Sequence, residues 1–297
     1  MNTMLSYVLI TAARNEEEHI GNIIRCVVSQ TIQPKKWVIV SDGSTDRTEE
    51  IVKEYASENK WIELIVRPEH INRDFASKVN SFNEGYERVK SCQYDIIGNL
   101  DADLTFDEEY IEYLLEKFSQ NNNLGVTGTP FVEDNSVIYD YRYTNIQHVS
   151  GGCQLFRREC FEAVGGFVPM KGGGEDWIAV TTARMLGWQT RTFTEKHFVH
   201  HRKMGQAKMK VLRSSFNTGC NDYLLGNHPL WEIFRVFYQL RNKPYIIGSI
   251  AMLCGYLGNM LSRKSIPISP ELVNFNRNEQ LQRLGAVFKR LLPFTKV

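Results

Sequence analysis

The sequence predicts an α/β protein whose mostly parallel sheet carries helices on both faces and is followed by a helical region. Short apolar runs alternate with helical patterns from residue 7 to residue 100, which is typical of βαβ units. Three of these runs stop abruptly at polar clusters. From about residue 204 the strand-like runs disappear and long apolar stretches take their place. These features favour one mixed α/β domain with a helical region attached.

The first half of the chain is predicted from its periodicity. Buried strands are expected at residues 7–12, 37–40, 61–66 and 95–100. A helix is expected after Arg14-Asn15-Glu16, where Asn15 can cap it and the acids suit a first turn. Two more helices are expected around residues 48–55 and 75–89. This alternation places the carboxyl ends of the strands on one edge of the sheet, where ligands bind.

The pattern loosens after residue 103, which predicts a mixed second half. Strands are expected at residues 125–132, 150–156 and 190–193. Helices are expected at residues 108–118, 159–164 and 177–186. No internal repeat or low-complexity stretch interrupts this part of the sequence.

Composition excludes several classes of protein. The 297 residues are 42% hydrophobic and 23% charged, as in ordinary globular domains, and the net charge of +1 argues against a nucleic-acid partner. The six cysteines form no C-x-x-C pair, which argues against a structural zinc site and indicates free thiols in a reducing compartment. The first residues lack the basic and apolar segments of a signal peptide, so we expect a cytoplasmic location.

Two acids, Asp101 and Asp103, follow the fourth apolar run with Ala102 between them. On an extended backbone the side chains of residues i and i+2 point to the same side. Both carboxylates can therefore share one hard cation, which in turn binds phosphate oxygens. The alternative is that one acid caps the helix that follows. A cap needs only one acid, so we favour a binding site.

Polar clusters also end the first two strands. Ala12-Ala13-Arg14-Asn15 offers small residues where a ligand can approach the backbone, and Asp42 can accept a hydrogen bond from a base or a ribose. The stretch Ser41-Asp42-Gly43-Ser44 is equally a good turn and cap. No G-x-G-x-x-G and no Gly-Lys-Ser/Thr loop occurs, which disfavours dinucleotide and P-loop sites. A phosphate would then be bound through a cation.

Taken in order, these motifs resemble the inverting nucleotide-sugar glycosyltransferases of family 2, which have the GT-A fold with its Rossmann-like, mostly parallel sheet. The resemblance covers residues 6–202. The matching stretches are Thr11-Ala12-Ala13-Arg14-Asn15-Glu16, Val40-Ser41-Asp42-Gly43-Ser44-Thr45-Asp46, Leu100-Asp101-Ala102-Asp103 and Gly174-Glu175-Asp176-Trp177. One departure is Ser41, where the family commonly has a second acid, and it leaves the base preference open.

The resemblance implies a nucleotide-sugar site. Its residues would be Ala12, Arg14, Asn15, Asp42, Lys78, Asp101, Ala102 and Asp103. In the family, the acid at the position of Asp42 contacts the base, usually uracil. The first acid of the Asp-x-Asp motif, here Asp101, lies by the ribose, and the second, here Asp103, binds Mg²⁺ or Mn²⁺ with the diphosphate. Lys78 lies where such enzymes often have a base-side or phosphate-side contact.

Glu175 and Asp176 follow a pliable run of three glycines and precede a predicted helix. They can simply be the acids of a helix N-terminus. Sugar transfer needs a base that takes a proton from the acceptor hydroxyl. The resemblance gives that role to Asp176, with Glu175 beside it, and implies that Gly151, Gly152 and Trp177 lie on the acceptor side.

His200 and His201 follow the last predicted strand, and histidines in such positions are often structural. In the GT-A fold a histidine from this region can complete the metal site. The predicted ligands of Mn²⁺ or Mg²⁺ are therefore Asp101, Asp103, His200 and His201. Alternation along a strand directs only one of the two histidines inward. Arg202 and Lys203 are expected to face the diphosphate.

Two apolar helices are expected near the C-terminus, at residues 230–239 and 245–261. The second is free of charge but short for a membrane span, which needs about 20 apolar residues. Basic flanks and aromatic edges favour a shallow helical pair at a membrane surface, formed by residues 224–264. A buried hairpin and a true span are the alternatives. The tail, residues 270–297, is expected to be helical.

The sequence therefore predicts a metal-dependent inverting glycosyltransferase that moves a sugar from a nucleotide-sugar, UDP-linked by preference, to a glycan or lipid-linked acceptor in surface polysaccharide synthesis. The glycosyltransferase domain is expected at residues 1–205, with a nucleotide-binding half (1–104) and an acceptor half (105–205). Residues 206–297 would associate with the inner face of the cell membrane. The processive Gln-x-x-Arg-Trp motif is matched only in part, at residues 280–284, which favours single-sugar addition. A sugar nucleotidyltransferase and a non-catalytic nucleotide-sugar-binding scaffold are the alternatives.

Overall fold

The computed structural model describes residues 5–69, 75–133, 136–137, 145–170, 172–201, 208–241 and 244–291. The chain divides into two compact units, Met1–Lys203 and Met204–Val297. The strands of the first unit are β1 (Tyr7–Ala13), β2 (Lys36–Asp42), β3 (Ile62–Arg67), β4 (Ile96–Leu100), β5 (Leu104–Thr105), β6 (Leu124–Gly128), β7 (Phe131–Glu133), β8 (Ser136–Val137), β9 (Cys153–Arg157), β10 (Gln189–Thr192) and β11 (Phe198–His200). Its helices are α1 (Ile20–Val28), α2 (Thr48–Glu58), α3 (Phe75–Val89), α4 (Tyr110–Gln120), α5 (Arg158–Val164) and α6 (Glu175–Met185). The second unit contains α7 (Lys208–Leu224), α8 (Pro229–Gln239), α9 (Tyr245–Leu261) and α10 (Pro270–Leu291).

The main sheet of the first unit has seven strands in the order β10-β6-β9-β4-β1-β2-β3. Strands β4, β1, β2 and β3 pair in parallel, whereas β9 runs antiparallel to both β4 and β6. This pairing brings the residues before β9 next to the end of β4. The N–H of Asp101 donates to the carbonyl oxygen of Gly152 at 2.8 Å. The sheet thus joins two stretches that are distant in the sequence.

A smaller sheet has the order β5-β11-β7-β8. Strand β11 is antiparallel to β5 and parallel to β7. Residues 125–132 were predicted as one strand, but the structure divides them: β6 belongs to the main sheet and β7 to the smaller one. The break falls at Thr129-Pro130, and proline has no N–H to continue a ladder of hydrogen bonds. The division places β7 beside the strand that ends at His200.

The core of the first unit lies on both faces of the main sheet. Successive side chains of a strand point to opposite faces. Leu9 packs in one cluster with Ile20 and Trp37, whereas Val8 packs in the other with Phe82. Burying a large apolar side chain contributes about 1.5–3 kcal/mol, so these two layers hold the strand ends firmly in position.

In the second unit, helices α7 and α9 lie backbone to backbone. A Cβ atom at Gly219 would lie 1.8 Å from the carbonyl oxygen of Met252, and one at Gly255 would lie 2.1 Å from that of Phe216. Only glycine permits such a close approach. Helix α9 covers the residues expected for it from the sequence. Within the described part of the chain, no helix is long and apolar enough to cross a membrane.

Candidate functional site

The loop after β1 is tied to the loop after β2. Asn15 has a φ of 54°, in the left-handed region, and its Oδ1 accepts a hydrogen bond from the N–H of Thr45 at 2.8 Å. The N–H of Asn15 donates to Oγ of Ser44 at 3.2 Å. Asn15 therefore fixes this sheet edge instead of capping α1, which has no side-chain cap. Ala12 and Arg14 are half-buried beside it.

Asp42, the last residue of β2, is 5% exposed. Ser77 Oγ donates to its Oδ2 at 2.7 Å, and its Oδ1 pairs with the guanidinium of Arg67. Arg67 ends β3 and also donates to Oγ of Ser81 at 2.7 Å. Arg67 was not predicted from the sequence, although a basic residue ending the strand next to β2 was the available signal. The pair presents a hydrogen-bond acceptor and donors side by side.

Lys78, on α3, lies at the centre of the candidate site. Its Nζ is 2.6 Å from Oδ1 of Asp101. Burial opposes the charge on this ammonium, but nearby carboxylates raise its pKa above the usual range. They belong to Asp101, Glu175 and Asp176. Burial raises the pKa of Asp101, and Lys78 opposes that effect. One lysine therefore connects the end of β4 with the start of α6.

Asp103 meets His200 next to β4. Asp103 is 7% exposed, and its Oδ2 lies 3.4 Å from Nε2 of His200. Nδ1 of the same ring lies 2.7 Å from Oε1 of Glu133, the last residue of β7. The hydrogen bond to Asp103 raises the pKa of His200 to about 9, although burial opposes it. Glu133 was not predicted, because only the pairing of β7 with β11 brings it here.

His201 has other partners. Its Nε2 lies 2.8 Å from Oγ1 of Thr105, and its ring stacks on that of His19 with centroids 5.8 Å apart. Burial, and the charge of His19, lower the pKa of His201. The two adjacent histidines thus face different neighbours, as alternation along a strand requires.

The predicted metal ligands are only partly brought together. Asp103 and His200 face each other, whereas Asp101 is held in its ion pair with the lysine. Among the residues that the structure describes, no group of three or more His, Cys, Asp or Glu side chains is arranged to hold a metal ion. The basic residues expected at the diphosphate, Arg202 and Lys203, lie outside that part of the chain.

Helix α6 begins with the two acids of the predicted catalytic stretch. Gly173 and Gly174 precede it with φ values of 81° and 101°, which only glycine adopts without strain. Glu175 is buried, its Oε2 has no hydrogen-bond partner among the described residues, and burial raises its pKa. Asp176 is half-buried, and its Oδ1 accepts a hydrogen bond from the N–H of Trp177, itself half-buried, at 2.7 Å. Asp176 is the more accessible of the two carboxyl groups.

Gly151 and Gly152 form the turn before β9. Nδ2 of Asn99 donates to the carbonyl oxygen of Gly151 at 2.7 Å. A Cβ atom at Gly151 would lie 2.8 Å from Oδ2 of Asp176, and one at Gly152 would lie 3.2 Å from the ring of Phe198. The glycines expected on the acceptor side therefore lie directly beside the carboxylate expected to be the base. Ala102, in contrast, is buried in the apolar core.

Residues 8–142 match the model of the family described as Glycosyl transferase family 2. This segment, slightly less than half of the chain, is thus similar to that family. The match confirms the resemblance drawn from the motifs. It includes Asp42, Lys78, Asp101 and Asp103, whereas Asp176 and the two histidines come later in the chain.

A relative in sequence is a polymer synthase. The poly-beta-1,6-N-acetyl-D-glucosamine synthase of Staphylococcus epidermidis is 34% identical over 132 residues, which are 43% of this chain and 29% of that protein. The same synthase of Staphylococcus aureus is 32% identical over 130 residues, with 43% and 29% of the two chains covered. The matches thus span less than a third of the length of these curated relatives.

Solved glycosyltransferases share the fold of this chain. A mannosyltransferase from Pyrobaculum calidifontis in complex with GDP-Man and Mn²⁺ is 16% identical with a TM-score of 0.56, covering 97% of this chain and 81% of that one. S. aureus TarS 1–349 in complex with UDP-GlcNAc is 14% identical with a TM-score of 0.54, covering 96% and 81%. The likeness shows the mixed α/β fold of GT-A glycosyltransferases.

Proposed function

We propose that this chain is an inverting glycosyltransferase that moves one sugar from a nucleotide-sugar to a hydroxyl group of a glycan or lipid-linked acceptor. The observation that carries the proposal is the position of Lys78. Its ammonium lies 2.6 Å from Asp101 and within the electrostatic reach of Glu175 and Asp176. The acid expected beside the ribose and the acid expected to be the base thus share one cation. The relation to a polysaccharide synthase supports this class of reaction.

We favour a UDP-linked donor. Asp42 can accept a hydrogen bond from a ring N–H, and Arg67 can donate to a neighbouring carbonyl oxygen. Uracil presents this pair of groups on adjacent atoms. Guanine does so as well, and the two solved neighbours were obtained with UDP-GlcNAc and GDP-Man. The relation to an N-acetylglucosamine polymer synthase makes UDP-GlcNAc the first donor to test.

Asp103 and His200 fit a role in binding Mn²⁺ or Mg²⁺. Adjacent ligands of an octahedral ion with bonds of about 2.0–2.1 Å lie about 3 Å apart, and the facing atoms of these two residues are 3.4 Å apart. Such ions commonly take one or two carboxylates from the protein and complete their shell with water and phosphate. When bound, the ion would neutralise charge on the leaving diphosphate. Asp101 is expected to steady the ribose or the water shell of the ion.

The chain's own residues then supply a base in a fixed place. Asp176 is expected to accept the proton of the acceptor hydroxyl as its oxygen attacks the anomeric carbon. One in-line displacement inverts the anomeric configuration. The N–H of Trp177 holds one oxygen of the carboxylate, and the absence of a side chain at Gly151 leaves space beside the other. A base held in this orientation lowers the entropic part of the barrier.

We further propose that residues 1–205 act as the glycosyltransferase domain and that residues 206–297 associate with a membrane surface through residues 224–264. The helices in this region carry the apolar and basic side chains that such association requires. A lipid-linked acceptor at the cytoplasmic face of the cell membrane is then the simplest partner.

Release of nucleoside diphosphate from UDP-sugars and GDP-sugars, with and without Mn²⁺ and added glycans, tests the catalytic proposal. Asp103→Asn and Asp176→Asn should each lower turnover by about 10²-fold or more. Glu58→Gln, which changes an exposed acid of α2, is the matched control. By calorimetry Asp42→Asn should weaken UDP binding, whereas Asp176→Asn should not. Turnover that persists in both active-site variants would overturn the proposal.

A further inference from the structure

Helix α8 exposes an apolar stripe to solvent. The stripe consists of Leu230, Ile233, Phe237 and the residue just after the helix, Leu240, which are 38% to 65% exposed. Their spacing of three, four and three residues places them on one face of the helix. The opposite face carries Glu232, which is 1% exposed. The buried residue of α8 is thus an acid, whereas its most exposed side chains are apolar, the reverse of a helix that serves only the core of its own unit.

The first half of α9 repeats this arrangement. Its exposed apolar residues are Tyr245, Ile246, Ile247 and Ile250, which are 49% to 64% exposed. The other side of α9 packs against α7, because Gly255 and Gly219 allow the two backbones to approach closely. The exposure of the isoleucines therefore does not result from poor packing of α9 within its unit. They follow directly on the end of the α8 stripe, across the connection at residues 240–244.

The charged residues of α8, α9 and their flanks are almost all basic. Between residues 230 and 264 the sequence contains a single acid, Glu232, and that acid is buried. Arg241, Arg263 and Lys264 are exposed, and Lys243 lies in the same stretch of sequence outside the described residues. A second copy of this chain would bring like charges together at the same patch. An anionic surface would instead be attracted by the basic side chains next to the apolar stripes.

We propose that the exposed stripes of α8 and α9 bind the surface of a bilayer that contains anionic phospholipid. The aliphatic side chains lie at the boundary between headgroups and acyl chains, and the surrounding cations contact lipid phosphates. Both helices lie along the surface, in keeping with the lack of a spanning helix among the described residues. The inference rests on the membrane association proposed above and names its lipid class and its contact residues.

Flotation of the full-length chain with lipid vesicles tests this inference. The chain should float with vesicles of equal parts phosphatidylcholine and phosphatidylglycerol, and about tenfold or more weaker with phosphatidylcholine alone. The double variant Ile246→Ser/Ile247→Ser should lose about tenfold or more of the binding to the mixed vesicles. Val168→Ser/Leu186→Ser removes two exposed apolar side chains of the first unit and should bind like the wild type.

Three outcomes decide the matter. Equal flotation of the two double variants, or equal binding to neutral and anionic vesicles, would overturn the inference. So would a concentration-dependent dimer in size-exclusion chromatography that only Ile246→Ser/Ile247→Ser abolishes, because the stripes would then bind a second copy. Donor turnover is measured on the same samples without vesicles. If the wild type floats with the vesicles but shows no donor turnover, the catalytic proposal is refuted and the membrane inference is retained.

Discussion

Replacing Gly151 with alanine should slow sugar transfer while leaving the fold intact. The new methyl carbon would lie 2.8 Å from Oδ2 of Asp176, 3.0 Å from its Cβ and 3.1 Å from its Cγ. Carbon and oxygen atoms in ordinary contact lie about 3.4 Å or more apart, so something must yield by roughly half an ångström. The obstructing atoms all belong to the half-buried side chain of Asp176: the carboxyl group can turn about the side-chain bonds, whereas the contact at Cβ requires a small shift of the backbone. The carboxylate of Asp176 should therefore turn aside at little cost in stability.

The size of the effect follows from this displacement. Misplacing a catalytic group by 1 Å can cost about 10²-fold in rate, so a shift of half that size should cost about tenfold, or about 1.4 kcal/mol of the activation barrier. The loss should appear in kcat. The KM for the donor should change little, because the base acts on the acceptor hydroxyl in the transition state.

Steady-state release of nucleoside diphosphate measures this effect, and thermal unfolding reports on the fold. Gly21→Ala is the matched control, because its new methyl carbon would lie 3.5 Å from Arg25 and 3.7 Å from Ile51 on the surface of α1. It should keep full activity. The reasoning fails if Gly151→Ala also keeps full kcat, or if its defect lies entirely in donor KM.

Three further predictions concern the charged groups. Lys78→Ala leaves three carboxylates without their common cation and should lower the free energy of unfolding by about 1–3 kcal/mol in denaturant titrations, since the ion pair with Asp101 is half-buried. Burial raises the pKa of Glu232 from 4.5 to about 8, so the folded chain holds a proton that the unfolded chain releases, and stability should fall as the pH rises between those values. Glu232→Gln should remove this part of the decline, worth about 2–4 kcal/mol at pH 8, so that the unfolding temperature of the variant falls less over this range than that of the wild type. Glu133→Gln should lower Mn²⁺ affinity, measured by electron paramagnetic resonance, by about tenfold, because Glu133 fixes the ring of His200.

The elements that the sequence predicted well are those decided by local pattern. Helices α3 and α9 begin and end where expected, because their apolar spacing and flanking residues leave no ambiguity. The pairing of strands depends instead on contacts between residues far apart in the sequence. Strand β9 runs against its neighbours on both sides, and its apolar run carries no mark of direction. The break between β6 and β7 also escaped prediction, although Pro130 marked it.

The same distinction separates predicted from unpredicted site residues. The acids at the ends of β2 and β4 could be predicted, because parallel strands expose their carboxyl ends at one edge. Glu133 and Asn99 could not, because each reaches the site through a partner far along the chain: Glu133 contacts His200, and Asn99 donates to the turn before β9. Such partners follow from the three-dimensional pairing of strands and leave no local signal.

In the structure the two acids of the Asp-x-Asp pair contact different partners. The prediction that both side chains point to one side assumed an extended backbone, but β4 ends at Leu100 and the chain turns before β5 begins. Asp101 pairs with Lys78, while Asp103 faces His200. The charge of Asp103 still contributes to raising the pKa of Asp101, so the two carboxyl groups remain within electrostatic reach of each other.

The balance of charges in the site gives this difference between Asp101 and Asp103 a consequence for donor binding. Its carboxyl groups are those of Asp101, Asp103, Glu133, Glu175 and Asp176. Among the described residues, the ammonium of Lys78 and the imidazole of His200 lie against them. A donor diphosphate adds negative charge to this edge, and repulsion between like charges at such distances costs several kcal/mol wherever water is excluded. We therefore predict that a cation accompanies the donor. Lys78 pairs with Asp101, whereas Asp103 faces His200, and we predict that Asp103 is the acid of the motif that contacts this cation.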